Sequence, residues 1–187
     1  MKLVLASGSP RRRELLDMIG IEGYTIMPDT CDEEIVPGLP PGPTVCGIAL
    51  KKAKNVSLLC CEDDIILAAD TLVFIDGCLL GKPRGAEDAA GMLRRLSGRK
   101  HTVYTGVAIV RGDVYMTGAE MTDVYFRDIT ENEIAAYVST GEPMDKAGAY
   151  GAQGRAAIFI ERVDGDFFNV MGLPLCRLST MLRNFGI

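Results

Sequence analysis

The sequence predicts a mixed α/β fold, a largely central sheet flanked by helices, carried as one domain over residues 1–187. Three observations predict it. Apolar runs of strand length alternate with stretches of helical spacing, hairpin signals interrupt that alternation, and no internal repeat is present. The chain of 187 residues lies near the usual size of one domain. With 48% hydrophobic and 24% charged residues it has the composition of a protein with a packed core, neither disordered nor collagen-like.

Lys2 to Ala6 reads as a short strand ending at the turn Ser7-Gly8-Ser9-Pro10, and RRRELLDMIG follows with Leu15, Leu16 and Ile19 at helical spacing. Tyr24 to Met27 suggests a second strand. Val36 to Pro43 holds four prolines and two glycines and reads as a loop, with a composition that would suit a lid. Thr44 to Leu58 is helical in pattern. Ile65 to Ile75 is a long apolar strand interrupted only by Asp70 and Thr71, and Asp76-Gly77 signals a hairpin into Cys78 to Leu80.

Ala86 to Leu96 is a helix closed by Ser97-Gly98. Thr102 to Val110 and Val114 to Phe126 read as antiparallel strands joined at Arg111-Gly112-Asp113. Thr130 with Glu133 forms a capping box for a helix through Ser139. The segment TGEPMDKAGAYGAQGR is glycine-rich and too polar for a core element. Ala157 to Val163 then reads as a strand and Leu173 to Leu182 as the closing helix.

Charge and cysteine usage exclude several classes of function. Twenty Lys and Arg against 25 Asp and Glu leave a net charge of −5, so no global field recruits nucleic acid. The arginine triplet and Arg94-Arg95 lack an aromatic-basic stripe and do not change that reading. The six cysteines contain no C-x-x-C pair and are expected to be reduced thiols. Only four apolar residues, Leu3 to Ala6, precede the first turn, which is short of a secretory segment. No run approaches the roughly 18 apolar residues of a membrane span. The expected location is the cytoplasm.

Three groups of residues carry candidate chemistry. Ser9 suits an N-cap and Pro10 the first helical position, which places arginines in the first turn, against the positive end of the helix dipole. A bound phosphate would offset that penalty, because free backbone N–H groups and guanidinium forks both favour an oxyanion there. The competing reading has the arginines in solvent or paired with Glu14 and Asp17. Asp70 is an ionisable group inside ILAADTLVFI, so it calls for a cation or donors if buried, unless the strand end faces solvent. Lys52, Lys82 and Lys146 each read singly as surface. Gathered with arginines and carboxylates in one cleft, they would suit a polyphosphate and a hard divalent ion. A single histidine, His101, argues against a zinc site, and Cys60-Cys61 reads as core.

Together, LASGSPRRRELL, AADTLVF, LGKP, MLRRLSGR-HTVYTG, TGEPMDKAGAYGAQG and GDFFNVMGLPL resemble the Maf family of nucleoside triphosphate pyrophosphatases, in order and from Leu3 to Leu182. The resemblance implies a single Maf-like domain with two lobes and a deep cleft, similar to inosine triphosphate pyrophosphatases. It implies a metal-dependent, cytoplasmic enzyme that hydrolyses a nucleoside triphosphate to the monophosphate and pyrophosphate, with magnesium or manganese as the divalent cation. Ser7, Ser9, Arg11 and Arg12 match the family's phosphate-binding turn, and Lys52 and Lys82 match the lysines that contact the triphosphate. Asp70 matches the proton acceptor, and Glu33 the acidic position that helps hold the metal. Arg12, Thr71 and Gln153 match the positions linked to base choice in the branch acting on dTTP and UTP. The family has also been linked to inhibition of septum formation, so a nucleotide-binding regulator is the alternative. A homodimer is the commonest symmetric outcome, but no residue pattern specifies an interface.

Overall fold

The computed structural model describes residues 1–30 and 39–187. Its elements in chain order are β1 (Leu3–Leu5), α1 (Pro10–Met18), β2 (Thr25–Ile26), α2 (Pro41–Ser57), β3 (Ile65–Ile75), β4 (Cys78–Leu80), α3 (Ala86–Leu96), β5 (Lys100–Arg111) and β6 (Val114–Phe126). After these come α4 (Glu131–Ser139), β7 (Ile160–Asp164), α5 (Phe167–Met171) and α6 (Leu175–Arg183). The strands lie in the order β2-β1-β3-β5-β6-β7, with β4 paired to β3. The expected mixed α/β sheet with flanking helices is what the chain forms.

The parallel part of the sheet sets up the site. β1 pairs in parallel with β2 through Val4 and Thr25, and with β3 through Leu5 and Leu67. From β1 the chain moves outward to β2 and then returns past β1 to β3. Right-handed crossovers in opposite directions put α1 and α2 on opposite faces, and the carboxyl end of β1 becomes the reversal point where α/β sheets bind ligands. The β3–β4 hairpin turns on Asp76 and Gly77, with φ of 52° and 71°, the left-handed pair that matches strand twist.

Two compact units divide the contacts: Met1–Thr71 with Thr105–Glu120 and Gly172–Ile187, and Leu72–Tyr104 with Met121–Met171. In the first, one core cluster brings small residues together: Ala49 and Ala53 of α2 pack on Ala68 of β3 and Ala108 of β5. Small side chains let the helix lie close to the strands, and a Cβ at Gly106 would overlap the backbone of Val45 and Cys46. The second is aromatic: Phe126, Tyr137, Tyr150 and Phe159 join Leu93 and Leu96 of α3.

Several expectations need correction. Pro41 to Pro43 is not loop but the first turn of α2, where a missing N–H costs nothing; Val36 to Gly38 lie outside the described residues. The polar-looking 140–155 segment does contribute to the core. It folds into 3-10 turns at Glu142–Asp145 and Ala147–Ala149 and buries Ala149, Tyr150 and Ala152. Ala157 to Phe159 belong to a third such turn rather than to β7, and α5 was not anticipated. Of the Cys60-Cys61 pair only Cys60 is core-facing, half-buried against the core cluster, whereas Cys61 is exposed because α2 has already ended, and Leu58 and Leu59 also face out. Among the described residues no helix is long and apolar enough to cross a membrane.

Candidate active site

α1 starts where its sequence places it, with Ser9 as N-cap and Pro10 in the first turn. The Ser9 hydroxyl makes no capping bond, and the first turn carries Arg11 to Arg13 with no acid. The helix therefore opens with backbone donors that no capping hydroxyl meets and with no acid in its first turn, at the carboxyl end of β1, a setting that suits an oxyanion.

Arg12 is held on three sides. It donates from Nε to the Gly172 carbonyl at 2.8 Å, from Nη1 to Ser7 Oγ at 3.0 Å and from Nη2 to Thr71 Oγ1 at 3.3 Å. Thr71 Oγ1 lies 2.9 Å from Thr105 Oγ1, and Ser7 Oγ also accepts from the Ser9 amide at 3.3 Å. Gly172 has φ of 106°, and a Cβ there would stand 3.2 Å from Thr71 Oγ1, so this close approach requires glycine. Neither solvent nor pairing with Glu14 and Asp17 describes Arg12. Asp17 instead accepts from the Tyr24 hydroxyl at 2.8 Å, and that hydrogen bond adds to burial in raising the Tyr24 pKa.

Asp70 is buried, at 4% exposure, and Lys52 Nζ donates to its Oδ1 at 2.6 Å. The strand end does not point into solvent, which settles that alternative. Alternation along β3 places Asp70 with Ile66 and Ala68 on the face covered by α2, which supplies Lys52, while Thr71 turns to the opposite face and meets Arg12 from α1. Two neighbouring residues thus anchor two polar clusters, one on each face. Removing a carboxylate and an ammonium from water costs several kcal/mol per ion before their attraction is counted, so a buried pair is weak evidence for stability and stronger evidence for use.

Oxygen donors of this kind suit magnesium or manganese rather than a soft metal. Among the described residues no three His, Cys, Asp or Glu side chains gather into a preformed metal cage. Glu33, the other expected ligand, lies outside the described residues.

The remaining expected residues lie in the second unit or have looser placement. Arg11 sits half-buried in the first turn of α1. Lys82 is exposed in the connection after β4, and Gln153 is exposed in the turn that precedes Arg155–Phe159. Lys146 is engaged locally, donating to the Glu142 carbonyl and to Asp145 Oδ1, both at 2.6 Å. His101 is buried, with Nε2 2.8 Å from the Tyr150 hydroxyl, and burial pushes its imidazole down to about 4. Burial also raises the Tyr150 hydroxyl. Sequence reasoning missed Thr105 and Gly172 as partners in the Arg12 cluster. Each stood in a motif block of the sequence, HTVYTG for Thr105 and GDFFNVMGLPL for Gly172, but no local signal paired either with Arg12.

The family described as Maf-like protein matches residues 2–185. A protein of Moorella thermoacetica named dTTP/UTP pyrophosphatase is 52% identical over 189 residues, spanning 100% of this chain and 96% of its own. One of the same name from Symbiobacterium thermophilum is 50% identical over 185 residues, covering 99% and 94%. Among solved structures, the Staphylococcus aureus Ham1 protein superposes with a TM-score of 0.54 at 13% identity, covering 98% of this chain and 99% of the other. A HAM1 protein from Coxiella burnetii gives 0.51 at 15% identity, with coverage of 98% and 99%. At such identities the likeness concerns the fold alone.

Proposed function

The chain belongs to the Maf family, and from that premise we propose that it is a cytoplasmic nucleoside triphosphate pyrophosphatase acting on dTTP and UTP. The names of its full-length relatives support the substrate class. The observation that carries the chemistry is the buried Asp70–Lys52 pair, next in sequence to the Thr71–Arg12 cluster and its phosphate-ready helix start.

Asp70 accepts a proton from a water that attacks the α-phosphorus. A bond forms between the water oxygen and that phosphorus, the bridge to the β-phosphate breaks, and pyrophosphate leaves with the electron pair. Ser7, Ser9 and Arg11 receive phosphate oxygens at the start of α1, and Arg12 orients that turn through Ser7 while it takes part in base choice with Thr71. Lys52 and Lys82 offset charge on the departing phosphates. A magnesium or manganese ion, held by Glu33, Asp70 and phosphate oxygens, would supply Lewis-acid polarisation of the phosphoryl group. Gln153 reads the base, since unpaired polar groups reject a wrong base more strongly than shape does. The whole of residues 1–187 acts as one Maf-like domain, and a homodimer is the oligomer to test first.

The experiment is pyrophosphate release from dTTP, UTP, CTP, GTP, 7-methyl-GTP and ITP with either metal, comparing wild type with Asp70→Asn. Release from dTTP and UTP, falling about 10²–10⁴-fold in the variant with the fold kept, is the expected result. Nucleotide binding without release from any of them would make the protein a sensor instead.

A further inference from the structure

The turn that carries Gln153 is pinned on both sides by one small network. On its N-terminal side the Gly151 amide donates to the Tyr137 hydroxyl at 3.3 Å. On its C-terminal side the Arg155 amide donates to both carboxylate oxygens of Glu142, at 3.1 Å each. The Tyr137 hydroxyl closes the link by donating to Glu142 Oε1 at 3.1 Å. Glu142 is itself fixed at its backbone: its amide donates to Thr140 Oγ1 at 3.1 Å, and its carbonyl accepts from Lys146 Nζ at 2.6 Å.

Close packing reinforces these bonds. A Cβ at Gly154 would overlap the Glu142 carboxylate, and one at Gly151 would come within 2.7 Å of Lys146 Cε. Tyr137 is anchored from the core side, its ring edge-on to Phe159 with centroids 5.5 Å apart. Gln153 is exposed, and the backbone bonds made on either side of it, at Gly151 and Arg155, hold the turn that carries it. A carboxylate that accepts a backbone amide forms a charge-assisted bond, about twice as strong as a neutral one.

We propose that Glu142, with Tyr137, is a positioning residue for base selection, which sets the Gln153 turn without touching the nucleotide. This rests on the reading of Gln153 as the base-selecting residue. A specificity contact that depends on hydrogen-bond geometry fails when its support loosens by about an ångström.

The test compares the ratio of kcat/KM for UTP over CTP in wild type, Gln153→Ala, Glu142→Ala, Glu142→Gln, Tyr137→Phe and the Glu142→Ala/Gln153→Ala pair. The expected result is a drop on the order of tenfold in Glu142→Ala, towards the Gln153→Ala value, with no further drop in the pair. Glu142→Gln keeps an acceptor for the Arg155 amide and retains more of the preference. Tyr137→Phe preserves the core ring and moves the ratio in the same direction, which keeps the question answerable if Glu142→Ala folds poorly. A purely structural role lowers the melting temperature without changing the ratio. If Gln153→Ala collapses the preference while Glu142→Ala and Tyr137→Phe leave it intact, the positioning role is wrong and the base reading stands. If Gln153→Ala itself keeps the wild-type ratio, the base reading falls first, and the positioning role falls with it.

Discussion

The unit that holds Asp70 buries an ionic pair, Lys52 with Asp70, whereas the unit that holds His101 buries a neutral one, His101 with Tyr150. Lys52 and Asp70 meet at 2.6 Å with side-chain exposures of 13% and 5%. His101 and Tyr150 meet at 2.8 Å with Phe126 edge-on to both rings, at centroid distances of 4.9 and 4.8 Å. The neutral pair satisfies one imidazole nitrogen and the Tyr150 hydroxyl without burying a charge, and its edge-on rings specify how the core packs. The ionic pair stabilises little after desolvation, so its presence in a wall of alanines points to chemistry. Of these two buried polar pairs, the ionic one is the better guide to a candidate site.

The largest expected effect breaks the charged side of this contrast. Asp70→Asn keeps the shape of the side chain and removes its basicity, so pyrophosphate release should fall about 10²–10⁴-fold while circular dichroism still reports the folded chain. A wild-type rate in that variant would falsify the role of Asp70. Lys52→Met comes next. It removes the cation facing a buried carboxylate and should cost about 3–5 kcal/mol in urea unfolding, with much of it regained when Asp70 is also neutralised. An unchanged urea midpoint for Lys52→Met alone would mean that the pair is solvated in solution.

The smallest effect sharpens the neutral side. The His101 pKa is depressed in the folded state to about 4 from 6.5, so between those values the unfolded chain binds more protons. Stability contributed by the neutral imidazole is therefore complete above about pH 6.5. It falls as pH drops through that window and levels off below about 4, a total of about 3 kcal/mol. Asp123, held low first by the Lys100 hydrogen bond and then by that of Thr102, adds its own loss once pH falls through its depressed folded pKa. Subtracting the His101→Gln profile from wild type isolates the imidazole. Parallel profiles would show that His101 is as accessible folded as unfolded.

Much of the architecture was legible in local pattern. The bounds of β3 follow from eleven residues in which only Asp70 and Thr71 break the apolar run. The capping box of α4 is present as read, with Thr130 and Glu133 exchanging bonds. Pro10 marks the start of α1 for a reason internal to the residue, its fixed φ and missing N–H. The 140–155 segment misled because composition reports polarity per residue. Its glycines, with φ of 74° at Gly141 and 68° at Gly148, fold the chain back so that scattered alanines and Tyr150 reach the core.

The site was legible in its residues and not in its pairings. That Asp70, once buried, would need a cation or donors follows from the cost of a carboxylate in an apolar strand, and the expectation of an anion at the SGSPRRR turn follows from helix ends. Both are readable in the sequence because they depend on neighbours a few positions away. Tertiary structure alone decided that the cation is Lys52, and that Arg12 closes onto a carbonyl 160 residues further along the chain. Such partners are chosen by the sheet order and the faces to which α1 and α2 return, and no local propensity encodes that choice.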